Sequence, residues 1–332
     1  MKRILVVLAV AALVMSGCAK KDAASGGASQ KVVTWKLAFN QSIEHPQAQA
    51  LLWLSAEFEK ATNGAYKIDV NPNELLGNQQ QSFESLRSGA IQLAMLGNPI
   101  VESVMPDFAV IALPGLYDSV DQQRKVFTSG VLNELFAKTA PQDFYVLAAV
   151  HGGVRNVYAK KPVRSPADLK GLKIRVMQSQ LMLDSMSAMG AVPVAMSQGE
   201  VYTAIQQGVL DGAENSEVTF YDLKQYEVAP IYSYTRHFMI PDVLVINKAA
   251  YESLSPEHKA IFDRLVIETV NKAFDNFIAT VSVAKDKAKA EGATFIEDFD
   301  SGIFRSTFQA VVDKNIASPE RKKLYDAIKA VK

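Results

Sequence analysis

The segment DLKGLKIRVMQSQ, Asp168 to Gln180, sets an arginine inside a short apolar run. In a strand successive side chains alternate faces, so Leu172, Ile174 and Val176 share one face while Lys173 and Arg175 share the other. Two readings stay open at this point: a solvated edge with two cations on it, or a guanidinium aimed into a site. A guanidinium is planar, permanently charged and forked, so it can hold a carboxylate through two parallel hydrogen bonds. Covalent chemistry has less to stand on. The four histidines, His45, His151, His237 and His258, are far apart, and none lies in an HExxH or paired-cysteine pattern. The chain has no GxSxG elbow and no glycine-rich phosphate loop, and its one cysteine is Cys18. Binding without catalysis, metal or cofactor is therefore the expectation.

The ends of the chain bound its setting. Lys2 and Arg3 precede eleven apolar residues, Ile4 to Val14, and then Ser16, Gly17 and Cys18. Eleven residues are too few to span a bilayer, so residues 1–17 read as a secretory signal peptide. MSGC resembles a bacterial lipobox with Met15 at the usual leucine position, which implies cleavage before Cys18, its lipidation, and export to the periplasm or outer face of the cell membrane. Residues 18–31, small, polar and glycine-containing, read as a flexible tether. The 35 basic residues balance 35 acidic ones; removing Lys2 and Arg3 leaves 33 against 35. A near-neutral body with no basic cluster argues against nucleic acid.

From Val32 onward strands and helices alternate: VVTWKLAF, a helix entered at Pro46 with Leu51, Leu54 and Phe58 on one face, AYKIDV, a helix closed by Gly89, then FYVLAAV, LKIRV and VLVINK. This alternation predicts an α/β fold with mostly parallel sheets. Pro256 to about Ala290 reads as one long helix. LRSGAIQLA (Leu86–Ala94) and IQQGVLDGA (Ile205–Ala213) share a helix end, a glycine and a short strand, which points to two similar lobes. Two such lobes bind ligands in the crevice at their strand ends. Arg175 stands at one of those ends, and Asn98 and Asn215 follow the two echoed strands, where an amide either binds a ligand or fixes its own loop. Tyr221 reads as core or as a ring reaching the crevice. Asp242 of IPDV either accepts from a ligand hydroxyl or caps a turn.

The segments GVRNVYAKKPVRSPADLKGLKIRVMQSQ, MGAVPVAMSQGEVYTAIQQGVLDGAENS and QYEVAPIYSYTRH resemble the solute-binding proteins of tripartite ATP-independent periplasmic (TRAP) transporters, with weaker matches at HP (His45) and ELLGNQQQSFESLRSGAIQLAM. The resemblance implies a two-lobe periplasmic binding protein fold with crossing strands and a long helix spanning both lobes. It would give lobe I residues 32–152 and 241–280 and lobe II residues 153–240 and 281–332. It implies a monomer that closes over one organic anion and hands it to an integral-membrane permease. It assigns the carboxylate grip to Arg175, with Arg155 and Asn215 assisting and Asn40 facing the ligand. Two positions depart from the family pattern: Gln79 replaces a frequent acidic residue and Gln198 a frequent aromatic one.

The polar residues near Arg175 are mostly amides: Gln178, Gln180, Gln198, Gln79, Gln80, Asn40 and Asn215. Amides donate and accept, which suits hydroxyl groups, whereas a second carboxylate asks for a second cation. RVMQS, DGAENS and PDVLVINK also look like the branch of the family that binds sugar acids such as uronates. A sugar acid is thus favoured over a four-carbon dicarboxylate, with Arg155 as the residue that would serve a second carboxylate; the alternative of another class is a surface scaffold lipoprotein without a ligand.

Overall fold

The computed structural model describes residues 32–332; the expected signal peptide, Cys18 and tether lie outside them. Two sheets organise the chain. The first is five-stranded, in the order β2-β1-β3-β10-β4, with β1 Val33–Ala38, β2 Tyr66–Asn71, β3 Leu93–Gly97, β4 Phe144–His151 and β10 Pro241–Asn247. The second is six-stranded, in the order β11-β9-β5-β8-β6-β7, with β5 Arg155–Ala159, β6 Lys173–Val176, β7 Val192–Ala195, β8 Gly212–Asn215, β9 Ile231–Phe238 and β11 Thr294–Ile296. Each sheet is the floor of one lobe.

The chain passes between sheets as extended strand. β4 leads through Gly152 and Gly153 into β5, and β9 leads through Met239 and Ile240 back into β10. The first crossing needs its glycines: a Cβ on Gly152 would stand 2.7 Å from the Ile240 carbonyl oxygen. On Gly153, at φ +88°, it would stand 2.5 Å from Ser216 Cβ and 2.7 Å from the Phe277 ring. These crossings correct the expectation of mostly parallel sheets. Five strand pairings are parallel, and the four antiparallel ones all involve β5 or β10, the strands that enter from the opposite lobe. Local alternation of elements carries no signal about which sheet a strand joins.

The third link is the 35-residue helix Pro256–Ala290. Its first half packs Phe262, Leu265, Val270 and Phe274 into the core beneath the first sheet. Its last turns place Ala284 and Ala288 against apolar groups of the second lobe. The internal echo is structural: Gly89 and Gly208 both take left-handed φ, +83° and +75°. Each closes a helix, Gln79–Arg87 or Val201–Gln206, ahead of β3 or β8, one in each sheet. The last helix, Pro319–Ala330, contacts elements of the first lobe. Arg321 pairs with Asp107 at 2.8 Å, Lys323 with Glu134 at 3.1 Å and Lys329 with Asp118 at 2.8 Å. Among the described residues no helix is long and apolar enough to cross a membrane.

Candidate functional site

β6 is an inner strand, flanked by β7 and β8, so its two cations are treated differently. Lys173 is exposed at the strand start, whereas Arg175 is only 2 % exposed. The solvated-edge reading therefore fails for Arg175. Its Nε donates to the Met196 carbonyl at 2.8 Å and its Nη1 to Gln198 Oε1 at 3.1 Å. Among the described residues no carboxylate makes an ion pair with it. Burial presses its pKa down to about 10 against the weaker opposing fields of Glu214 and Glu74.

Arg155, at the start of β5, is nearly as buried, but its charge is answered. Its Nε donates to Glu214 Oε2 at 2.5 Å and its Nη2 to Glu214 Oε1 at 2.7 Å, a bidentate pair. Nη2 also reaches the Glu214 carbonyl at 3.0 Å, and Nη1 reaches Asn215 Oδ1 at 3.2 Å. Burial alone would raise the Glu214 pKa, but the Arg155 charge beside it, with the His237 ring 3.5 Å away, brings it down to about 2. Arg155 stays charged, but the Arg155–Glu214 pair adds no net charge to the cleft. Glu214, central to this pairing, was not singled out in the sequence; the signal was an acidic residue inside the short strand GAEN.

Two adjoining cavities between the lobes contain both arginines. One is lined by Glu74, Gln79, Arg175, Met177, Gln178 and Gln198. The other includes Asn40, His45, Arg155, Asn215, Thr219 and Asp242, together with Gln79 and Gln198. Eight of the nine ligand-facing residues expected from sequence are therefore together. Tyr221 lines neither cavity: its half-buried ring stacks on Tyr226 with centroids 5.9 Å apart, and its hydroxyl donates to Glu291 at 3.3 Å. Asn98 likewise fixes its own loop, donating to the Phe108 carbonyl at 2.9 Å.

Local contacts decide what each wall residue can still offer. The Gln79 carbonyl oxygen accepts from Gly97 N at 2.5 Å, which leaves its NH2 end to donate. Asp242 accepts from Gln47 Nε2 at 2.7 Å on Oδ2, and burial pushes its pKa up to about 6. His45 caps the helix Pro46–Ala61, accepting from Gln47 N at 3.3 Å, and burial lowers its pKa to about 3, so it meets the cavity as neutral imidazole. His151 is packed away against Phe274, with Nδ1 2.5 Å from Gln123 Oε1. His237 lies behind Glu214. Among the described residues no three His, Cys, Asp or Glu side chains group as a metal site would require.

Among the described residues three carboxylates, Glu74, Glu102 and Asp222, meet groups of the opposite lobe. Glu74 follows β2 and accepts from the Gly199 N–H; burial raises its pKa, and Arg175 partly offsets this. Asn73 and Glu74 both hold left-handed φ, +54° and +56°, a strained turn that carries the carboxylate to the cleft. Glu102 accepts from Ser179 Oγ at 2.9 Å and from the Leu181 N–H, so a first-lobe carboxylate caps the second-lobe helix Gln180–Ala188. At the rim Ser42 Oγ donates to Asp222 Oδ2 at 3.3 Å. None of the three acids stood out in the sequence.

A cleft of this kind, with a buried unpaired guanidinium and a wall of amides, is built to hold a small anion. The comparisons agree. Residues 38–318 match the family described as bacterial extracellular solute-binding protein, family 7. Among curated proteins, the 2,3-diketo-L-gulonate-binding periplasmic protein YiaO of Escherichia coli is 30 % identical over 251 residues, 74 % of this chain and 75 % of that protein. A TRAP periplasmic solute-binding protein from Xanthobacter autotrophicus Py2, solved with bound β-D-galacturonate, superposes with a TM-score of 0.87 at 30 % identity, covering 90 % of this chain and all of that one. Another, from Anaerococcus prevotii with bound α/β-D-glucuronate, gives 0.86 at 32 % identity, covering 90 % and 97 %. The chain belongs to the bacterial extracellular solute-binding proteins of family 7, the substrate-capturing components of TRAP transporters.

Proposed function

We propose that this protein captures a sugar monocarboxylate of the uronate type and delivers it to a membrane permease without altering it. The observation that carries the reading is the contrast of charges: among the described residues Arg175 is buried without a carboxylate partner, whereas Arg155 is paired with Glu214. One free cation calls for one carboxylate. Arg175 grips it, Asn215 and Arg155 direct donors to it, and the amides of Asn40, Gln79 and Gln178 together with Asp242 serve the hydroxyls. The solved neighbours that carry glucuronate and galacturonate support this choice.

Hydrogen bonds to charged groups contribute about 1.5–3 kcal/mol each, so a bidentate grip supplies about 3–6 kcal/mol. A micromolar dissociation constant needs about 8 kcal/mol. Hydroxyl contacts and apolar burial on lobe closure supply the remainder. The lobes close about the crossings at 152–154 and 239–240, and the helix Pro319–Ala330 moves with the first lobe, whose ion pairs it makes. The protein works as a monomer, tethered to the membrane through lipid on Cys18.

A thermal-shift screen tests the ligand class. Glucuronate or galacturonate at a hundredfold excess over its dissociation constant should stabilise the protein by about 2.7 kcal/mol. Stabilisation by succinate and by no sugar acid would overturn the reading, and recovery of a chemically changed ligand would refute binding without catalysis. Mass spectrometry of the mature chain with Cys18 diacylated supports the anchor; an unmodified Cys18 contradicts it.

A further inference from the structure

Gln198 opens the 3-10 turn Gln198–Glu200, which a reciprocal Ser197–Glu200 cap fixes in place. Its side chain is 5 % exposed and reaches between two strands. Oε1 accepts from Arg175 Nη1 of β6 at 3.1 Å and from Asn215 Nδ2 of β8 at 3.3 Å. The amide can be placed in only one sense. Asn215 Oδ1 is occupied by Arg155 Nη1 and Ser216 N, so Asn215 turns its NH2 towards Gln198, and a flipped Gln198 would set donor against donor. In this sense Gln198 Nε2 is buried with no partner among the described residues.

A single oxygen held by a guanidinium and an amide NH2 is the geometry of one carboxylate oxygen. We propose that Gln198 is an internal surrogate for the ligand carboxylate. Its amide oxygen keeps Arg175 and Asn215 aligned, and an incoming anion must displace it. This rests on reading Arg175 and Asn215 as the carboxylate seat. A bond to a charged acceptor is about twice as strong as one to a neutral acceptor, so a carboxylate outcompetes the amide whereas a neutral hydroxyl or carbonyl does not. Gln198 is thereby a specificity-determining residue that selects for charge. Displacement also frees an amide whose Nε2 is unpaired, so its own cost of leaving is low.

Two variants test the proposal. Gln198→Met keeps the stem and volume but removes the competing oxygen, and should lower Kd about fivefold or more for whichever of D-galacturonate, D-glucuronate or succinate the wild-type protein binds. Gln198→Glu ties a carboxylate into the seat. It should weaken binding of the same acid at least a hundredfold and raise Tm with no ligand present, a gain that disappears when Arg175→Gln is added. Weaker binding by Gln198→Met, or Gln198→Glu without a gain in Tm, overturns the proposal. The Tm measurement needs no ligand, so if no uronate binds and Gln198→Glu still gains Tm, the uronate reading falls while the surrogate stands.

Discussion

Arg155 and Arg175 lie on β5 and β6, the two strands that flank β8, and both guanidiniums are nearly inaccessible, at 6 % and 2 % exposed. Their partners separate them. Arg155 is clamped in a bidentate pair with Glu214, whereas among the described residues Arg175 meets only a carbonyl and an amide oxygen. Burying a charge is costly unless it is paired. Glu214 meets that cost for Arg155 within the fold, so Arg155 contributes to structure and aims its neighbours. Arg175 retains it in the fold, and on the proposed reading a bound anion would relieve it, so that desolvation would become a driving force for capture. Two arginines in one cleft therefore do not mean two carboxylates.

The sharpest way to break this comparison is through stability. Glu214→Gln leaves Arg155 buried without its counter-charge and should cost about 3–5 kcal/mol in denaturant unfolding. Arg175→Gln removes a charge that has no counter-ion in the fold and should leave stability unchanged or raised. Equal losses in the two variants would show that the arginines are equivalent. The next effect is on affinity. Arg175→Lys keeps the charge but not the fork, and titration calorimetry should show at least a tenfold loss; unchanged affinity in a folded variant would end the assignment of the grip to Arg175.

A smaller effect sharpens the hydroxyl side of the cleft. Burial raises the Asp242 pKa to about 6. A ligand hydroxyl donating to the ionised carboxylate favours deprotonation, so binding releases a proton. Affinity should therefore rise as pH climbs from about 5 to 7 and level off above. Asp242→Asn should flatten this dependence with a lower plateau. A variant that keeps the wild-type pH profile would place Asp242 outside the ligand contacts.

What the sequence disclosed follows from how local each signal is. The helix Pro256–Ala290 announced itself by length and by Pro256 at its start, and Gly89 and Gly208 by their places at helix ends. Arg175 was legible because a strand of four residues put it one step from a polar turn. The state of Arg155 was not, because its partner Glu214 lies 59 residues away on a strand that joins it only in the folded sheet. Glu74 and Glu102 were invisible for the same reason: each meets a backbone N–H of the opposite lobe. Tyr221 had the right type and neighbourhood for a ligand contact, but its hydroxyl found Glu291 at the end of the long helix. The antiparallel pairings of β5 and β10 depend on crossings that local periodicity does not encode.

The central claim is that the cleft holds one free cation and so takes one carboxylate with hydroxyls around it. Isothermal titration of the wild-type protein with D-galacturonate, D-glucuronate, succinate and malate tests it most directly. The account predicts that at least one uronate binds in the micromolar range or tighter, with both four-carbon dicarboxylates at least a hundredfold weaker. Tight binding of succinate or malate without binding of either uronate would contradict it, since a second carboxylate would require Arg155 to leave Glu214.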